Sequence, residues 1–318
     1  MKRVGYLFEQ AFTLENLYGA YVDASRHKQG TRACFQFARR LGWHLDQLHT
    51  ELQAGTYRPQ PYYAFMVYEP KPRRIYAPAF RDLVVQHAIY RVVYPLFNRT
   101  FIDQSFACRR GKGTHAAADY AQAALQASPR DRVTLKLDIR KFFSRIDRAV
   151  LRARIERKVK DRRFVDVLMQ FADHGEPTGI PIGNLLSQLY ALIYLNGLDH
   201  WLTREQQVPG YCRYVDDFLV FGLSRAEARV LLARVVTYLG VIGLELSRAT
   251  IAPVSRGVNF VGFRTWASKR FIRKRSLFVF SRALRAHRRD AAQSVLGHAR
   301  RTHSARHLTV AFKEAFPS

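Results

Sequence analysis

The chain has 318 residues, 48% of them hydrophobic, and carries a formal net charge of +27 at pH 7. That apolar share supports an ordinary buried core spread over two or three subdomains, and so large an excess of Lys and Arg points to a polyanionic partner whose affinity falls steeply with salt. No run of eighteen apolar residues occurs, MKRVGYLFEQAF lacks a signal peptide's apolar stretch and cleavage site, and Cys34, Cys108 and Cys212 form neither a disulfide framework nor a CxxC zinc site, so the expectation is a soluble cytoplasmic protein with no membrane partner.

Residues 1–60 show helical periodicity at Phe35, Phe37, Leu41, Leu45, Leu48 and Leu52, stopped by Gly55, which predicts a helical lead-in. Phe65-Met66-Val67-Tyr68 and Ile75-Tyr76 predict two strands joined by a Pro-containing turn that carries Lys71, Arg73 and Arg74. An amphipathic helix follows over 82–97, closing near Pro95. SFACRRGKGTHAA (105–117) places Arg109, Arg110 and Lys112 beside two glycines before an Ala-rich helix, where backbone N–H groups can reach phosphate, although the Walker spacing is absent.

Val133, Leu135 and Leu137 alternate with Thr134 and Lys136, which predicts a half-buried strand ending at Asp138. GIPIGNLLSQLYALIYLNGLDHWL (179–202) predicts a turn with Asn184 or Ser187 near an N-cap, then a helix with Leu189, Leu192, Ile193, Leu195 and Leu198 on its apolar side. YCRYVDDFLVFG (211–222) predicts a hairpin with Asp216 and Asp217 at its tip. Beyond it come a helix over 224–239, a strand at Leu244-Glu245-Leu246 with Ser247-Arg248-Ala249-Thr250 after it, and VNFVGFRTW (258–266). The last stretch interleaves Lys269, Arg270, Arg273, Lys274 and Arg275 with Phe271, Leu277 and Phe278, as a basic helical segment that packs.

Paired carboxylates in an apolar, β-branched run are expensive to bury unless a cation neutralises them. A strand that ends at Asp138 can meet the tip of a neighbouring hairpin, and three acidic oxygen donors gathered in this way suit a two-metal site for in-line phosphoryl displacement.

Asp138 followed by Tyr214-Val215-Asp216-Asp217, in this order and separation, resembles motifs A and C of a reverse transcriptase palm. The resemblance implies an α+β right-hand polymerase, with a helical lead-in and fingers over 1–130, a palm of antiparallel sheet backed by helices over 131–266, and a short basic helical thumb over 267–318. It implies RNA-directed DNA polymerase activity with Asp138, Asp216 and Asp217 catalytic. Those three, together with the main chain of Ile139, would hold two Mg2+ ions, with Mn2+ as the substitute. Lys71 and Arg73 correspond to the cations that contact the β- and γ-phosphates of an incoming deoxynucleotide, with Arg74 the weaker candidate. Phe143 corresponds to the aromatic side chain beneath the sugar that excludes a 2′-hydroxyl; the alternative is Phe142, otherwise a core residue. Ile182, Gly183 and Gln188 belong to the loop beneath the nascent pair. Arg109, Arg110, Lys112, Gly262, Arg273, Lys274 and Arg275 are the expected nucleic-acid contacts, and Arg248 is left without a defined role.

Ile182 stands where most reverse transcriptases have a glutamine, and Ile-Gly-Asn-x-x-Ser-Gln (182–188) resembles the diversity-generating retroelement enzymes. Loss of an orienting amide shrinks the free-energy gap between right and wrong pairs, and the resemblance further implies misincorporation opposite template adenines. It also implies a template RNA, a cDNA or primer strand, dNTPs, a pentameric accessory variability determinant protein, and a bacterial, archaeal or phage source. The alternatives are an ordinary-fidelity retron or group II intron-type enzyme, separated by its error spectrum, and a catalytically silent RNA-binding scaffold, against which the aspartates weigh.

Overall fold

The periodicity of the first sixty residues is realised as α1 (Leu7–Ala11), α2 (Leu14–Ser25), α3 (Arg32–Arg39) and α4 (Leu41–Gln53) in a computed structural model that describes residues 3–68 and 71–317. Thr13 and Thr31 start α2 and α3 by accepting hydrogen bonds from the backbone N–H groups of Asn16 and Cys34. β1 (Tyr63–Val67) pairs antiparallel with β2 (Arg73–Ala77), so Arg73 and Arg74 lie within the second strand, and not in the turn where the sequence reading set them. Glu69 and Pro70, inside that expected turn, lie outside the described residues. α5 (Phe80–Asn98) runs past Phe97 and keeps Pro95 in its last turn; its buried face, with Leu83, Val84, Ala88, Ile89 and Val93, packs on α2.

In chain order there follow α6 (Thr114–Ala127), β3 (Val133–Ile139), α7 (Phe142–Arg145), α8 (Arg148–Glu156), α9 (Arg162–Gln170), α10 (Leu185–His200), β4 (Gly210–Tyr214), β5 (Asp217–Leu223) and α11 (Arg225–Val241). The rest is β6 (Leu246–Pro253), β7 (Val258–Phe260), β8 (Phe263–Thr265), β9 (Arg270–Ile272), α12 (Lys274–Arg285), α13 (Arg289–Ala299) and α14 (Ala305–Ala315). Two compact units result. The first comprises Met1–Phe101, Lys141–Gly197 and Ile242–Leu244, and the second comprises Ile102–Arg140, Leu198–Val241 and Glu245–Ser318.

The second unit is built on an antiparallel sheet of order β4-β5-β3-β6. Alternation along β3 and β5 puts Leu135, Leu137, Phe218 and Val220 on one face and Lys136, Asp138, Asp217 and Leu219 on the other. α6 packs on β4 and β5, while α11 packs on β3, β5 and β6. β6 begins at Leu246, so Ser247–Thr250, expected beyond a strand, lie inside one; as an edge strand it tolerates the polar residues that its own sequence offers. A second sheet, β7-β8-β9, joins α12, α13 and α14 around Phe263, Ile272, Phe280, Ala292, Leu308 and Phe312. Arg270, grouped by sequence with the outward cations, is 3% exposed and binds Asp119 at 2.7 Å and Gln122 at 2.8 Å.

On α5, burial pushes the His87 imidazole down to about 4; Asp23 opposes that shift, and Lys28, Arg26 and Arg91 add to it. The folded chain thus refuses a proton that the unfolded chain accepts below about pH 6.5. This site's contribution to stability is whole above that pH and is lost as the pH falls toward 4. His87→Gln is expected to shrink the drop in urea midpoint between pH 7 and pH 5; an equal drop in both proteins would refute this account.

Candidate active site

Asp138 on β3 is the direct cross-strand partner of Asp217 on β5, and the Ile139 N–H donates to the Asp216 carbonyl at 3.1 Å. Opposed residues of an antiparallel pair have Cα atoms about 4.5–5.5 Å apart, so two carboxylates remote in sequence sit side by side on one face. Tyr214 pairs with Asp217, leaving Val215 and Asp216 as the two central residues of the β4–β5 hairpin. Val215 has φ 58°. A β-branched residue in the left-handed region is strained, by about 1–3 kcal/mol, and persists only where its surroundings over-determine it.

Those surroundings begin at Arg213, whose side chain is fully buried. It donates to both carboxylate oxygens of Asp199, at 2.7 and 2.6 Å, to the Ser105 hydroxyl at 3.2 Å and to the Val215 carbonyl at 3.0 Å. Tyr211 donates to Asp199 at 2.6 Å. Burial by itself would depress the guanidinium's pKa, but Asp199 more than reverses this and holds it charged. A bidentate ion pair in the core therefore ties the strained turn to the end of α10.

Burial pushes the Asp217 carboxyl up, Lys136 pulls it back by charge and hydrogen bond, Asp138 pushes it up again, and Arg273 lowers it. Lys136 Nζ lies 2.7 Å from Asp217 Oδ2 and 2.7 Å from the Asn259 carbonyl. The other oxygen, Asp217 Oδ1, is buried with no hydrogen-bond partner. An orphaned carboxylate oxygen beside a second carboxylate suits a hard divalent cation. Ser247 donates to Asp138 Oδ1, so each carboxylate is also turned onto a protein donor. Among the described residues no group of three His, Cys, Asp or Glu side chains is close enough to hold a metal ion, and the carboxylates that meet across the strands are Asp138 and Asp217.

The expected nucleotide residues all belong to the first unit. Lys71 and Arg73 are exposed, and Arg74 reaches Glu176 at 3.4 Å and lies over the Tyr76 ring. Phe142 is buried against Tyr194, whereas Phe143 is half-buried. The Ile182 carbonyl accepts from Tyr76 N–H at 2.8 Å. Gly183 has φ 102°, and a Cβ there would meet Ile75 Cγ2 at 2.6 Å, so the loop's approach to β2 requires glycine. Of the two cap candidates, Asn184 accepts from Leu186 N–H at 2.8 Å, while the buried Ser187 hydroxyl has no partner; Gln188 is exposed.

The expected nucleic-acid residues are less uniform. Arg109 braces the carbonyls of Ile102 and Ser105 at 2.5 and 3.1 Å, and Lys112 donates to the Asp103 carbonyl at 3.0 Å; Arg110 is exposed. Gly262, expected to admit a close strand, has His298 over it instead: a Cβ would meet Nε2 at 2.7 Å, and the imidazole stacks on Phe263. Arg273 acts electrostatically on Asp217, and Lys274 and Arg275 are exposed at the start of α12.

The family model for reverse transcriptase (RNA-dependent DNA polymerase) matches residues 69–265. The chain belongs to the reverse transcriptase family. The enzyme class of the family is RNA-directed DNA polymerase, and reverse transcriptases work with divalent metal ions. Protein YkfC of Escherichia coli (strain K12) is 26% identical over 75% of this chain and 74% of its own length. Group II intron-encoded protein LtrA of Lactococcus lactis subsp. cremoris is 28% identical over 50% of this chain but only 28% of its own. Among solved structures, telomerase from Candida albicans, in complex with a TWJ fragment of telomeric RNA, aligns with a TM-score of 0.51 at 11% identity, covering 87% of this chain and 61% of that one. That likeness shows the polymerase fold.

For this reverse transcriptase, sequence reasoning missed Lys136, Ser247 and the Arg213–Asp199 pair as parts of the site. Lys136 had a signal: it precedes Asp138 by two and so shares its strand face. Arg213, a charge inside an apolar strand, was a second signal. Asp199→Ala leaves a buried guanidinium unpaired and is expected to lower unfolding stability by about 3–5 kcal/mol in urea denaturation. Adding Arg213→Met should recover a large part of it, and a loss under 1 kcal/mol for Asp199→Ala would refute the tie.

Proposed function

We propose that this chain is the reverse transcriptase of a diversity-generating retroelement, copying a template RNA into cDNA with errors directed to adenines. The observation that carries its polymerase chemistry is Asp138 in register with Asp217 beside Asp216. A primer 3′-hydroxyl attacks the α-phosphate of a deoxynucleotide, and pyrophosphate leaves. Asp138, Asp216, Asp217 and the Ile139 carbonyl would hold two Mg2+ ions, or Mn2+ in their place, which when bound supply charge neutralisation at the attacking and leaving oxygens. Lys136 and Arg273 favour the ionised form of Asp217 against burial and Asp138, which favour its neutral form. In this reading Lys71 and Arg73 bind the β- and γ-phosphates, Phe143 excludes the 2′-hydroxyl, and fingers, palm and thumb occupy 1–130, 131–266 and 267–318.

Support for the retroelement subtype is the apolar Ile182 in the Ile-Gly-Asn-x-x-Ser-Gln run, which carries no side-chain amide to orient a base pair. The partners are template RNA, primer or cDNA, dNTPs and a basic pentameric accessory protein. A charge of +27 repels a basic partner, so RNA cements that complex in this account. The likeness to LtrA favours a second reading, a group II intron-type enzyme of ordinary fidelity. The localisation proposed is the cytoplasm of a bacterium or archaeon, or of a phage-infected cell.

Asp216→Ala is expected to abolish magnesium-dependent primer extension while RNA affinity stays within about twofold, because phosphate contacts supply most of the binding; full activity would remove the site assignment. Deep sequencing of cDNA from a defined template separates the two readings. Errors concentrated at template adenines support the retroelement enzyme, and a uniform low error rate supports the intron-type one.

A further inference from the structure

Beside the catalytic carboxylates, on the same face of the palm sheet, lies a second concavity. It is a cavity of about 270 Å³, closed by the turn that enters β7, and its lining includes Lys136, Arg248, Arg256, Arg264, Thr134 and Thr250. No Asp or Glu is among its lining residues. Cations crowded into one small space repel each other, and a fold gains nothing from gathering them unless an anion joins them. Lys136 is partly compensated by Asp217 at 2.7 Å. Arg264 lies over the Trp266 ring at 4.7 Å and donates to the Arg256 carbonyl. Burial also depresses the Arg264 pKa, a sign of desolvation with no neutralising partner.

Thr134 supplies an independent observation. It is 2% exposed, lines the cavity, and its hydroxyl has no hydrogen-bond partner, although a buried hydroxyl ordinarily finds one. Ligand pockets for drug-sized molecules run about 300–1,000 Å³, so this one suits a smaller guest. Guanidinium forks match the oxygens of a phosphate in pairs, and a threonine hydroxyl donates to a third.

We propose that this cavity is a phosphate-group site, for pyrophosphate or for a phosphodiester of a bound strand, read by Arg256, Arg264 and Thr134 and coupled to Asp217 through Lys136. The coupling is geometric: one ammonium faces both the catalytic carboxylate and the cavity. An anion in the cavity competes with Asp217 for that charge, so phosphate bound here weakens the hold on the catalytic carboxylate, and release of the carboxylate strengthens the hold on phosphate.

The test is calorimetric titration of inorganic pyrophosphate into the full chain, without metal or nucleic acid, at 0.15 M salt. Saturable one-site binding is expected. Arg256→Ala/Arg264→Ala should weaken it roughly tenfold or more, and the isosteric Thr134→Val should weaken it a few-fold. Arg225→Ala/Arg229→Ala, which removes equal charge from α11, should leave it unchanged, and Asp217→Asn should tighten it. Equal losses in the two arginine pairs, or no saturable binding, would overturn the site; no change in Asp217→Asn would overturn the coupling. Repeating the titration with template–primer bound separates the sources. Lost pyrophosphate binding, with the duplex salt slope reduced by about two in Arg256→Ala/Arg264→Ala, assigns the site to a strand phosphate, and retained binding assigns it to the free anion. That last arm rests on the polymerase reading; the metal-free titration does not, so the two fail separately.

Discussion

A desolvated carboxylate in an apolar sheet is the constraint on which the rest of the second unit depends. Asp217 begins a strand whose next four residues are buried, and desolvation drives it toward its neutral form. Stabilising the charged form needs positive charge close by. The sheet meets that demand with positive charge drawn from elements far apart in sequence, Lys136 from β3 and Arg273 from the entry to α12. The cost of burying charge thereby becomes a reason for the entry to α12 to fold against this sheet: Arg273 and Lys136 both lower a carboxyl pKa that burial raises. Asp217 Oδ1, buried with no hydrogen-bond partner, marks where this compensation stops short.

The same logic operates one layer below. Val215 cannot adopt φ 58° cheaply, and the turn is held by a hydrogen bond from a buried guanidinium to its carbonyl. That guanidinium is tolerable in the core because Asp199 meets it with both oxygens and Ser105 takes another of its N–H groups. A polar network in which every charge is matched fixes geometry more tightly than apolar packing, since any slip strands a buried charge. The register that sets Asp138 against Asp217 is thus protected twice, by side-chain alternation, which a one-residue slip would invert, and by this buried pair.

Much of this was legible in the sequence where the signal is local. The period-two run before Asp138 and the apolar flanks of Asp216-Asp217 give β3 and the β4–β5 hairpin, and the Gly-rich run before Leu185 gives the start of α10. What the sequence hides is pairing at long range. The meeting of Lys136 with Asn259 spans 123 residues, and that of Arg270 with Asp119 spans 151. Nothing near either residue reports these contacts. The start of β6 was misplaced for a related reason: Ser247-Arg248-Ala249-Thr250 has no strand pattern of its own and is extended because β3 offers it a ladder. Gly262 shows the converse. A glycine between strands announces close approach but not by what, and here the neighbour is the His298 ring.

Net charge is equally ambiguous until the side chains are placed. The value of +27 reads as a uniform invitation to a polyanion, yet individual cations do different work. Arg213 neutralises a buried carboxylate, the buried Arg270 pairs with the partly exposed Asp119, Arg109 holds two backbone carbonyls, and Lys136 pairs with Asp217. The salt dependence of nucleic-acid binding counts only the cations that exchange a solvated state for a phosphate contact. Charges already matched inside the fold release no counterions on binding, so the slope measured for this chain reports the exposed set, such as Lys274 on α12 and Lys71 before β2, and stays below what composition alone would suggest.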